Sequence, residues 1–85
     1  MRRSIDDQPI TESELPPGAE DALPVSWAIA LCDDYDDATP RVVLTVEDLG
    51  RPGTGLVAHL SADSARRLRG AINDALREVG EDVGR

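Results

Sequence analysis

The 85-residue chain has no phenylalanine, no lysine, and only one each of tryptophan, tyrosine and cysteine. A single thiol excludes an internal disulfide framework. The near absence of aromatics leaves an aliphatic core, and a light one. No segment approaches the roughly 20 apolar residues that a membrane-spanning helix needs. The opening Met1-Arg2-Arg3 runs on into Ser4-Ile5-Asp6-Asp7 without the apolar stretch of a secretory leader. The expected setting is therefore soluble and cytoplasmic, with no membrane partner.

Residues that carry chemistry are equally sparse. Cys32 and His59 are the only members of their types, and nothing identifiable orients the imidazole. A thiol that ends an apolar strand reads as a small buried hydrophobe rather than a nucleophile. Gly50-Arg51-Pro52-Gly53-Thr54-Gly55 has the glycine content of a phosphate loop. It lacks the Gly-Lys-Ser/Thr ending and leads into a strand, so no helix N-terminus would face a phosphate. Asp33, Asp34, Asp36 and Asp37 surround Tyr35 and supply the oxygen ligands a hard cation wants. The central glycine and terminal glutamate of an EF-hand loop are missing, and such a run more simply keeps a loop hydrated and discourages strand pairing. No catalytic, cofactor or metal site is expected, and the chain does not read as an enzyme.

Charge narrows the partners. Seventeen acids against nine bases give a net charge of −8. Such a surface repels nucleic-acid backbones and anionic lipid. Arg66, Arg67, Arg69 and Arg77 form a local basic patch, but with no stacking aromatic beside them they read as a solvated helix face.

What the chain does contain is a clear change of hydrophobic period. From Pro24 to Cys32, Val25, Trp27, Ile29 and Leu31 alternate with the small residues Ser26, Ala28, Ala30 and Cys32, as in a half-buried strand. Arg41 to Glu47 is rich in β-branched residues, and Gly55 to Leu60 is a third apolar run. The loop between them, Asp48 to Thr54, is dense in glycine and proline. After Leu60 the spacing becomes helical, with Ala65, Leu68, Ile72, Ala75, Leu76 and Val79 on one stripe. Ser61 fits an N-cap, Asp63 the positive end of the helix dipole, and Gly80 a left-handed C′ position. A helix over 62–79 would be about 27 Å long.

The first 23 residues hold Pro16-Pro17, six acids and only scattered aliphatics, and read as a flexible acidic tail. The expected fold class is thus α+β, one domain over 24–85. Its architecture is a three-stranded antiparallel meander (about 24–32, 41–47 and 55–60) followed by one amphipathic helix, βββα. Val57 to Leu68, reading Val-Ala-His-Leu-Ser-Ala-Asp-Ser-Ala-Arg-Arg-Leu, is similar to the strand-then-helix ending of small actinobacterial or actinophage domains of unknown function. The arginine-only basic set and the heavy use of Ala, Gly, Val and Asp also look like coding from a high-GC bacterium or its phage. That resemblance implies the ending and carries no activity, cofactor or site residue.

About 60 folding residues make a marginal core. One helix covers one sheet face, yet Val42, Leu44 and Val46 oppose Val43 and Thr45, which leaves apolar groups on both. A second apolar face needs a cover. The chain is therefore expected to be a non-enzymatic interaction or accessory module, acting as a homodimer or on another protein, with Trp27, Leu44, Val46 and Ile72 holding the fold. The candidate contact residues are Val43 and Thr45. The alternative is an acidic decoy in which Asp33, Asp34, Asp36 and Asp37 stand in for the phosphates of a nucleic acid.

Overall fold

A computed structural model describes residues 1–18, 24–49, 51 and 53–80. Four strands and one helix follow one another as β1 (Arg2–Ile10), β2 (Val25–Cys32), β3 (Arg41–Asp48), β4 (Leu56–Leu60) and α1 (Ala62–Glu78), with a single 3-10 turn at Glu12–Glu14. The strands form one open antiparallel sheet in the order β1-β2-β3-β4. The fold is α+β, with a C-terminal helix as expected and four strands where the sequence led us to expect three.

The additional strand lies in the supposed tail. Residues 2–10 show no apolar alternation because their side chains are nearly all exposed. Their order comes from backbone pairing with the outer edge of β2, which composition does not report. β1 thereby gives the uncharged strand β2 a charged, proline-containing outer neighbour, with one irregularity at Ile5 between Ser4 and Asp6. Beyond it, the backbone N–H of Thr11 donates to the Glu14 carboxylate at 3.1 Å and closes the short turn. The part of the tail at 19–23 lies outside the described residues.

Register fixes the two faces. Trp27 lies opposite Val46, Ile29 opposite Leu44 and Leu31 opposite Val42, while Val42, Leu44 and Val46 face Leu60, Ala58 and Leu56 across the next seam. These side chains share one apolar face, which ends in the polar Arg3, Asp6 and Gln8 of β1. The other face carries Ala28, Ala30 and Cys32 beside Thr45, Val43 and Arg41, then Val57 and His59. Gly55 immediately precedes β4, where a Cβ would collide with the Val46 carbonyl oxygen and with Glu47, so only glycine lets the chain pass that close to β3.

The local signals at the helix hold. The Ser61 hydroxyl accepts from the Ser64 N–H at 3.1 Å, Arg66 pairs with Asp63, and Gly80 takes φ +78°. α1 lies on the Trp27 face and leaves a groove of about 230 Å³ against the sheet, lined by Ile29, Val42, Leu60, Leu68 and Ile72 among others. No helix residue is fully buried. The radius of gyration is 15.0 Å, against about 12 Å for a compact chain of this length. α1 therefore covers only part of the face on which it lies.

Candidate functional site

The face opposite α1 is closed by a side chain that the alternation pattern does not announce. Val43 is 1% exposed and sits with Ala30 and Cys32 in a small cluster, with Tyr35 packed over it. The loop from Asp33 to Pro40 holds the ring in place. The Tyr35 N–H donates to the Asp33 carbonyl at 2.8 Å, the Ala38 N–H donates to the Tyr35 carbonyl at 3.0 Å, and Ala38 takes φ +52° to turn the chain. The Tyr35 hydroxyl and His59 Nδ1 share a hydrogen bond of 2.8 Å, with the two rings edge to face at 87°. The Arg41 guanidinium stacks 4.7 Å from the ring centroid, a cation–π contact. A loop that follows β2 is thus tied across β3 to β4.

Electrostatics reinforce this lid. Arg41 grips Asp37 with two parallel hydrogen bonds of 3.0 and 2.8 Å, and the Thr39 N–H donates to the same carboxylate at 3.0 Å. Those bonds, the Arg41 pair foremost, hold the Asp37 carboxyl far below the usual carboxylate range. Asp33 and Asp34 both accept from the Met1 amine, which lifts that amine to about 10 and lowers Asp33. Three of the four candidate aspartates are therefore engaged within the chain, and only Asp36 projects without a partner among the described residues. No three carboxylate, imidazole or thiol groups converge among the described residues.

Burial foremost, then Cys32, pushes the Tyr35 phenol above its usual 10, against the opposing pull of Arg41 and Arg2. Because the protonated phenol is the form favoured by folding, its contribution is complete below pH 10 and is lost as pH rises beyond it. Tyr35 is the only tyrosine, so phenolate absorbance reports it alone. An alkaline titration of the folded chain should give a midpoint above 10. A midpoint at 10 or lower would mean that the ring does not rest on Val43.

The expected contact residues accordingly divide. Val43 is at the bottom of the Tyr35 cluster and presents no surface, while Thr45 is half-buried beside it. The apolar surface left open lies on the other face and at the far edge. Of the nine large apolar side chains exposed among the described residues, Val46, Leu56, Val57, Leu68, Ile72 and Val79 belong to β3, β4 and α1 or its C-cap, while Met1 and Ile5 lie at β1 and Leu49 follows β3. Leu56 is the extreme, at 84% exposed. Trp27, Leu44, Val46 and Ile72 line this side and are only partly covered. Tyr35 was the residue missed. Its signal is the stripe of small side chains at Ala28, Ala30 and Cys32, which leaves room on the sheet for one nearby ring.

No helix among the described residues is long and apolar enough to cross a membrane. Comparison with protein-family models, with curated proteins and with solved structures finds no significant match to this chain.

Proposed function

We propose that the chain is a non-enzymatic interaction module that works as a homodimer, with the β4 and α1 side as the surface the second copy covers. The observation that carries this reading is that six of the nine exposed large apolar side chains among the described residues, Val46, Leu56, Val57, Leu68, Ile72 and Val79, lie on that flank. A compact monomer of 9.1 kDa exposes about 4,900 Å², whereas this chain exposes 6729 Å². One side of a standard protein interface removes about 800 Å², so the excess is ample for a second copy. A twofold arrangement uses the same patch twice and needs no other gene product.

The decoy reading has less support. A phosphate mimic must hold its carboxylates free for a basic partner, and Asp33, Asp34 and Asp37 are bound within the chain.

Sedimentation equilibrium at micromolar concentration tests the proposal. The expected species has twice the 9.1 kDa of one chain. A single species of 9.1 kDa across that range would overturn it.

A further inference from the structure

Resting on the homodimer reading above, we infer that two copies join edge to edge through β4, antiparallel about a twofold axis at Ala58, to make one continuous sheet.

The two rims of the sheet are guarded unequally. A sheet edge presents a row of unpaired N–H and C=O groups, and proteins blunt such rows with charge, proline and bulges. β1 has all three devices, in Arg2, Arg3, Asp6 and Asp7, in Pro9, and in the register slip at Ile5. β4 has none of them. Its five residues, Leu56-Val57-Ala58-His59-Leu60, include no acid, no arginine and no proline, and they form a regular ladder with β3.

Charge points to the same edge. Each copy carries −8, so two copies repel unless they meet where acids are missing. β4 is such a place. Its own residues include no acid, whereas β1 carries Asp6 and Asp7.

The register follows from the strand's own length. Centring the pairing on Ala58 uses all five residues, setting Leu56 opposite the second copy's Leu60 and Val57 opposite its His59. The most exposed leucine of the chain then acquires an apolar cross-strand neighbour. A twofold axis normal to the sheet keeps both α1 helices on the same face, so their half-covered stripes flank the new seam. The product is an eight-stranded sheet from two four-stranded ones, with β1 and its copy as the guarded outer rims.

The test is oxidative cross-linking of the full chain carrying Ala58→Cys. Directly opposite residues of an antiparallel pair have Cα atoms about 4.5–5.5 Å apart, within the span a disulfide accepts. Native Cys32 is buried and serves as an internal control for unspecific oxidation. The expected result is a disulfide-linked dimer through residue 58 that Arg3→Cys, on the opposite rim, does not form. Sedimentation of the unmodified chain separates the two ways of failing. A dimer without linkage at 58 overturns pairing about Ala58 and leaves the homodimer standing, whereas a monomer overturns both. Hydrogen exchange on the unmodified chain covers the case in which the cysteine variant does not fold. The outward amides of β4 should exchange far more slowly than those of β1, and equal exchange at the two rims would overturn the proposal.

Discussion

Val43→Asp should leave the chain unfolded at room temperature, with the strand signal lost from circular dichroism and the emission of the single Trp27 shifted to that of a solvated indole. Among the described residues Val43 is the one large side chain that is almost wholly enclosed; its neighbours Ala30, Cys32 and the Tyr35 ring carry no charge, and His59, opposite it on β4, has its Nδ1 committed to the Tyr35 hydroxyl. The nearest cation, Arg41, is already committed to Asp37 by two hydrogen bonds. An uncompensated buried carboxylate costs about 3–5 kcal/mol. The whole stability expected of 85 residues is only about 4–13 kcal/mol, and a core whose fully buried members are Ala30, Cys32 and Val43 belongs at the lower end. Melting indistinguishable from that of the parent chain would mean that the Tyr35 lid stands open.

Leu56→Glu should do the reverse. Leu56 is 84% exposed in the single chain, so its replacement removes almost nothing that the monomer uses. Circular dichroism and the Trp27 emission of the dilute protein should stay as they are. Self-association should weaken by at least about a hundredfold, because burial of a leucine is worth about 1.5–3 kcal/mol and a charge in the seam adds a further penalty. Sedimentation across a concentration series reads that change directly. An unchanged dissociation constant would remove the β4 flank from the interface. The two variants separate the interior of the fold from its contact surface, since one strikes the closed face and the other the open edge.

How much of this was legible beforehand depended on whether a side chain or the backbone carried the information. The helix could be read almost to the residue, because Ser61 and Gly80 mark its ends chemically and its stripe recurs at three and four. β2 could be read from alternation, β3 from its β-branched residues and β4 from its apolar run, since each has partly covered side chains. β1 could not, because its side chains bury almost nothing and its pairing is a matter of N–H and C=O groups common to every sequence. The Tyr35 lid was hidden for another reason. Strand periodicity reveals that two faces are apolar, but a loop decides which of them is closed, and this loop turns at Ala38 through a left-handed conformation that alanine seldom adopts. Val43 and Thr45 share one face by register, Val43 enclosed beneath Tyr35 and Thr45 half-buried beside it.

The order of the strands has a kinetic consequence. Every strand pairs only with its neighbour in sequence, so the sheet can grow one hairpin at a time. Topologies with such local wiring form faster than Greek keys or parallel sheets of similar size. Assembly of each polypeptide should therefore precede encounter with its twin, and the rate of pairing should rise with concentration while the rate of folding does not.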